Sequence, residues 1–280
     1  MAREEDNPDA RDEADFDKST DDRFFRYYLE QSESTETIGR LERLADLILK
    51  TLQRERPAQR ELNFDIADIG GGAATLACVF ARAGHRATCI DISTDLLDVG
   101  RQRAAAENLP VKFLNCSATS IPLPDHSMDA CVVPELLEHV EDWRAVLDEA
   151  TRLLRPGGFL YLSTTNWLSP RQDEFELPLY SWYPARLKRY CERLAKTTHP
   201  QLANYGKYPA VSWFTYYRLR DELAARGYDL FMDRLDMIEV RTHGTSKARV
   251  ASALQHVPLA RLACQFVTGN TLILARKRLD

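Results

Sequence analysis

The sequence predicts an α/β fold built on a doubly wound parallel sheet, on three observations. Short apolar runs alternate with amphipathic stretches from Phe64 to about Thr164, the pattern of a parallel sheet with right-handed crossovers. A glycine cluster, Gly70-Gly71-Gly72, sits between the first such run and a helix-forming stretch, where backbone needs φ > 0 or must approach a ligand. The acids and glycines that stand out all fall at the carboxyl ends of the predicted strands, where open α/β sheets bind ligands.

Each element has its own signal. The first 18 residues are acidic and poor in apolar side chains, which predicts a disordered tail. Residues 19–60 read as N-terminal helices, Asp21 to Leu29 and Glu36 to Leu52, the second carrying one apolar stripe through Ile38, Leu41, Leu44, Ala45, Leu47 and Ile48. Pro57 stops that helix. The aromatic group Phe24, Phe25, Tyr27 and Tyr28 either packs an N-terminal helix on the sheet or forms a lid over a ligand. From residue 61 to 280 one domain is expected. Phe64 to Ile69 is the first strand, Thr75 to Ala83 a helix, and Ala87 to Ile90 the second strand, ending at Asp91. Ser93-Thr94-Asp95 caps a helix through Ala105. Val111 to Asn115, Met128 to Val133 and Phe159 to Thr164 are further strands, the last near-continuously apolar as doubly buried strands are. Asp142 to Leu154 is a helix that Arg155-Pro156-Gly157-Gly158 ends. Residues 168–211 break the alternation and are rich in Tyr, Trp, Pro and basic side chains. They read as an insertion over the site mouth, with a helix from Pro184 to Ala195. Trp213 to Arg226 resumes a helix and Tyr228 to Val240 a strand. A second insertion, 241–269, holds a helix from Ala248 to Leu262, and Asn270 to Ala275 is the last strand.

Composition narrows the function classes. The 280 residues carry a net charge of −5 and 28% charged side chains, which argues against a nucleic-acid partner. None of the six cysteines forms a C-x-x-C pair, so they read as reduced, buried apolar groups. No signal-peptide pattern opens the chain and no apolar run reaches about 18 residues, so a cytoplasmic location without a membrane span is expected.

The glycine turn selects its ligand. A dinucleotide fingerprint requires a third glycine where Thr75 stands, and no phosphate-gripping lysine follows. The pattern present is Asp68, Gly70, Gly72, Ala74. Asp91 lies 21 residues after Gly70 (91 − 70), where a carboxylate grips a ribose diol from the end of a second strand. A ribose without a pyrophosphate points to S-adenosylmethionine (SAM).

With these residues, Ile121-Pro122, the segment from Pro134 to Val140 and Leu154-Arg155-Pro156-Gly157-Gly158, the chain resembles the class I SAM-dependent methyltransferases. The closest subgroup includes the ubiquinone-biosynthesis O-methyltransferases, within the methyltransferase type 11 group. The resemblance covers roughly Phe64 to Asn166. It implies a Rossmann-like seven-stranded sheet with the last strand antiparallel. It implies that the Gly70 and Gly72 backbone approaches the methionine part of SAM, that Asp68 helps hold its amino group, that Asp91 takes the ribose hydroxyls and that Ile92 packs on adenine, with Pro134 also at the cofactor site. Two positions depart from the family pattern. Ala74 replaces its third glycine, and Ser117 replaces the acid that reads the adenine amino group, leaving that bond to a hydroxyl and the Ala118 backbone.

Methyl transfer requires an aligned acceptor and excluded water, and a hydroxyl acceptor must also lose its proton. His139, just beyond the fourth strand, is the expected general base; the alternative is a histidine hydrogen-bonded at a loop–helix junction. Glu135, Glu138 and His139 also have the Glu-x-x-Glu-His spacing that places all three on one helical face, able to hold Mg²⁺ or another divalent metal with a substrate diol. Tyr28, Trp167, Tyr180, Trp182, Tyr208 and Trp213 are candidates to stack on a small-molecule or sugar-containing acceptor, unless they form the insertion's own core. The expected function is O-methylation; methylation at nitrogen or carbon, and non-catalytic SAM binding, remain open.

Overall fold

The computed structural model describes residues 22–55, 63–172, 174–203, 210–241 and 245–279. The expected tail over residues 1–18, together with Pro57 and Tyr208, lies outside them.

The sheet has seven strands: β1 (Asp65–Ile69), β2 (Arg86–Asp91), β3 (Lys112–Asn115), β4 (Met128–Pro134), β5 (Leu154–Thr165), β6 (Tyr228–Met232) and β7 (Asn270–Lys277). Their order is β3-β2-β1-β4-β5-β7-β6. β1 to β5 pair in parallel, and β7 runs antiparallel to both β5 and β6, with Leu162 opposite Ile273 and Phe231 opposite Ala275. The strand order reverses between β1 and β4, which opens a crevice above their carboxyl ends.

Alternate side chains of each buried strand feed opposite faces. Ile66, Val132 and Leu274 pack in one layer with Ile48, Leu52 and Phe80, from α2 (Thr35–Glu55) and α3 (Thr75–Arg82). Ala67, Val133 and Ile273 pack in the other with Val146, Leu147, Leu219 and Leu223, from α5 (Trp143–Leu153) and α7 (Tyr216–Ala224). α1 (Asp22–Glu33) precedes α2, and α4 (Thr94–Ala106) links β2 to β3. Ser93 caps α4 by accepting from Leu96 N at 3.4 Å.

The insertion after β5 contains α6 (Ala185–Thr197) and a small core of its own, Phe175, Tyr180, Cys191, Ala195 and Ala203. The second insertion differs from its sequence reading. The expected strand from Tyr228 to Val240 stops at Met232, because Asp233 accepts from Leu235 N at 2.8 Å and Asp236 N at 3.2 Å and so starts α8 (Arg234–Arg241). The expected single helix from Ala248 to Leu262 is two, α9 (Ser246–Leu254) and α10 (Pro258–Val267). Pro258 cannot donate inside a helix but fits its first turn. α7 starts at Tyr216 rather than Trp213, since the Thr215 hydroxyl accepts from Arg218 N at 3.1 Å. Arg155 to Gly158, expected as a break, belongs to β5.

Candidate functional site

The turn after β1 is shaped by three left-handed residues, Gly70 at φ +77°, Gly72 at +51° and Ala74 at +57°. Gly70 N and Gly71 N both donate to the Ile90 carbonyl, at 2.8 and 3.1 Å, which locks the turn onto the end of β2. A Cβ on Gly71 would come within 2.7 Å of Asp68 Oδ2 and of Cys89 Sγ, so the turn cannot sit this close to the strand with any other residue there.

Asp91 fixes the opposite wall. Its Oδ2 accepts from Gly72 N at 2.9 Å and its Oδ1 from Ser93 N at 2.8 Å, so one carboxylate spans the glycine turn and the start of α4. The next side chain, Ile92, is 50% exposed. Asn115, which the sequence reading passed over, donates to the Asp91 and Ile92 carbonyls at 3.2 and 2.8 Å and so sets where both side chains project. Ser117 faces Thr119, Oγ to Oγ1 at 2.8 Å, and Ala118 packs against the layer that contains Ile69 and Ile90. A carboxylate beside an exposed apolar side chain, over a turn without side chains, suits an adenosyl group.

Asp68 lies beneath the turn, 1% exposed. Oδ2 accepts from Ala77 N at 3.2 Å inside α3, while Oδ1 has no partner. Desolvation, opposed only weakly by that bond, pushes its pKa up to about 7. Its place braces the turn against the helix.

Beyond Pro134, which ends β4 and pairs with Ser163, Glu135 takes φ +53°. Its carboxylate accepts from Arg40 of α2 at 2.8 Å and from Asn270 at 3.3 Å. Glu138 turns inward, 1% exposed, and its Oε2 accepts from the Thr164 hydroxyl at 2.9 Å. Burial, then the nearby Glu174 carboxylate, hold its pKa well above the ordinary range. His139 Nε2 stands 3.9 Å from Glu174 Oε2. Glu138, His139 and Glu174 present ligand atoms within 4.8 Å of one another. The acid–acid–imidazole group is therefore not the expected one: Glu135 is diverted to Arg40, and Glu174 of the insertion takes its place. The sequence signal for Glu174 was the acidic Glu174-Phe175-Glu176 within a largely basic insertion. Glu36, Arg40, Glu135, Glu138, Glu174 and Asn270 line a cavity of about 350 Å³.

The aromatic candidates divide. Trp167 and Trp182 are 50% and 46% exposed, and Trp182 Nε1 donates to the Trp167 carbonyl at 3.0 Å. Tyr180 is fully buried, stacked on Phe175 with ring centres 3.9 Å apart. Trp213 packs edge-on to Tyr180 at 5.7 Å, with the Lys188 ammonium 4.1 Å over its ring. Both pack in the insertion's core, the alternative to acceptor stacking that the sequence offered, Tyr180 fully and Trp213 partly buried. Lys188 is spent there too, donating to the Ser181 carbonyl at 2.9 Å. Tyr28 lies within α1.

Comparison with known proteins places this geometry. A family described as "Methyltransferase domain" matches residues 67–162. An uncharacterized methyltransferase of Mycobacterium avium is 31% identical over 65% of this chain and 70% of its own length. One from Mycobacteroides abscessus is 33% identical over 50% and 54%, respectively. A ubiquinone/menaquinone biosynthesis C-methyltransferase, UbiE, of Rhodopseudomonas palustris is 35% identical over 40% of this chain and 45% of its own. This chain thus spans about half the length of the curated relatives it matches first. Among solved structures, a SAM-dependent methyltransferase of Thermotoga maritima, described as a possible histamine N-methyltransferase, superposes with a TM-score of 0.50 at 17% identity, over 91% of this chain and 97% of that one.

Proposed function

This chain belongs to the class I SAM-dependent methyltransferases, and we propose that it methylates a hydroxyl of a small-molecule or sugar-containing acceptor held in the cavity between α2 and the insertion after β5. When bound, SAM supplies a methyl group on a sulfonium, with a thioether as leaving group. Gly70 to Gly72 provide the floor for its methionine end, Asp91 accepts from its ribose hydroxyls, Ile92 covers its adenine, and Ser117 with the Ala118 backbone meets the adenine edge. The observation that carries the reading is His139, 3.9 Å from Glu174, which lines the cavity together with the neighbouring Glu138. His139 takes the acceptor's proton as the acceptor oxygen bonds to the methyl carbon and the carbon–sulfur bond breaks. Glu174 stabilises the imidazolium that results. Trp167 and Trp182 offer a face for a ring or sugar, and Tyr28 and Tyr208 remain proposed acceptor contacts.

Two other readings each have one supporting observation. The named C-methyltransferase relatives favour transfer to a ring carbon, which removal of a neighbouring hydroxyl proton also activates. The cluster of Glu138, His139 and Glu174 favours a divalent cation such as Mg²⁺ that holds acceptor oxygens.

The test is incubation of labelled SAM with a metabolite extract, followed by mass and position analysis of the product, for wild type and His139→Ala. The variant is expected to bind SAM unchanged in calorimetry and to turn over about a hundredfold slower or worse. Equal loss of binding and turnover refutes the base assignment, and a methyl on carbon or nitrogen refutes the acceptor atom.

A further inference from the structure

α10 is built inside out. By the helical period, Leu259, Leu262 and Phe266 share one face, and they are exposed at 77%, 36% and 39%. Its polar side chains point the other way. Gln265 is buried, and the Arg261 guanidinium bonds Asp236 at 2.8 Å and also meets Asp233. Val250 and Leu254 of α9, one turn apart, are also exposed, while Ala248 and Ala251 are buried. Val257 between the helices and Val267 at the end of α10 bring to seven the large apolar side chains open to solvent on these two consecutive helices and their link. Single exposed apolar residues are ordinary, but seven within residues 250–267 mark a surface that something covers.

Charge identifies the cover. Residues 241–269 contain no Asp or Glu, although the whole chain has 42, and besides Arg261, whose charge is met by Asp233 and Asp236, they carry Arg241, Lys247 and Arg249 with His243 and His256. Arg249 and His256 are exposed in the same two-helix segment as the apolar set. An acid-free, basic helical segment with Leu, Val and Phe outward has the composition of one lying in the headgroup boundary of an anionic bilayer. The end of α10 is also tied to the sheet: Asn166, next after β5, donates to the Gln265 and Thr268 carbonyls at 2.6 and 2.8 Å. The next residues, Gly269 and Asn270, line the 350 Å³ cavity.

We propose that α9 and α10 form a docking surface for an anionic lipid membrane, on which the protein lies without spanning it. This inference does not depend on which atom is methylated.

The test is co-sedimentation of the full chain with phosphatidylcholine vesicles, with and without phosphatidylglycerol. Wild type is expected to bind the anionic vesicles and to release as salt rises. Leu259→Asp combined with Phe266→Asp should lower the partition coefficient by about tenfold or more, and Arg249→Glu should abolish the preference for anionic lipid. Both variants should keep the wild-type melting temperature and SAM affinity, since these side chains are outside the core and the crevice. Absence of wild-type binding to either vesicle overturns the proposal. So does a dimer in sedimentation velocity that the Leu259→Asp, Phe266→Asp variant disperses, which would make this face a contact between two copies.

Discussion

Asp68→Asn isolates the cost of the carboxyl group under the glycine turn. An unfolded chain releases this proton near the ordinary value of 3.8, whereas the folded protein holds it to about 7. Between those values the native state binds more protons than the unfolded state, so stability falls as pH rises through the window and levels off above it. The interval corresponds to on the order of 4 kcal/mol, taken from the pKa displacement of a fully buried group. Asparagine is close to isosteric. Its oxygen can still accept from Ala77 N, while its amide carries no titrating proton to the position where Oδ1 now lacks a partner. Urea unfolding of wild type and Asp68→Asn, at half-unit steps from pH ~4.5 to ~8, reads the difference directly. The variant's stability relative to wild type is expected to climb by a few kcal/mol across that range. A difference that stays flat would refute the buried, singly bonded carboxyl as the source.

Asp91→Ala should weaken SAM binding about 10- to 100-fold in calorimetry, the scale of losing hydrogen bonds to a charged group; unchanged affinity would remove Asp91 from the ribose. A Cβ on Gly100 of α4 would sit 2.9 Å from Ala74 Cβ, so Gly100→Ala should cost about 1–3 kcal/mol. Ala74→Gly relieves its left-handed φ by about 1 kcal/mol and clears one of those contacts, so the double variant should be less destabilised than the sum, by denaturant melts. Excess EDTA is expected to leave turnover within about twofold, because Glu135 is committed to Arg40 and one Glu138 oxygen to Thr164. Loss of activity that Mg²⁺ restores would assign the cluster to a cation.

The parallel strands and the crevice were legible because local signals there agree with tertiary ones. Gly70 and Gly72 owe their places to a turn whose φ requirements are visible residue by residue, and Asp91 to the end of the second strand. What failed had causes several residues or many residues away. Asp233 ended a strand-like run because its side chain caps the next helix, a bond that competes with apolar periodicity. Tyr180 and Trp213 looked like open aromatic faces, but their exposure depended on how the insertion folds on itself, which no local pattern encodes. Glu174 could be matched to His139 only once a loop 35 residues further on (174 − 139) was laid across it. The burial of Asp68 was not legible, since acid type alone does not reveal which side of a backbone a carboxylate occupies.

The clasp between Arg40 and Glu135 is half open to solvent, 54% and 39% exposed at its two side chains. Ion pairs in that setting are worth a fraction of a kcal/mol and weaken in brine. α2 itself stays anchored through Ile48 and Leu52 in the core, so what salt loosens is one contact on the wall of the 350 Å³ cavity. Exchange of a molecule held in that cavity should quicken with ionic strength even where the chemistry beside it does not change.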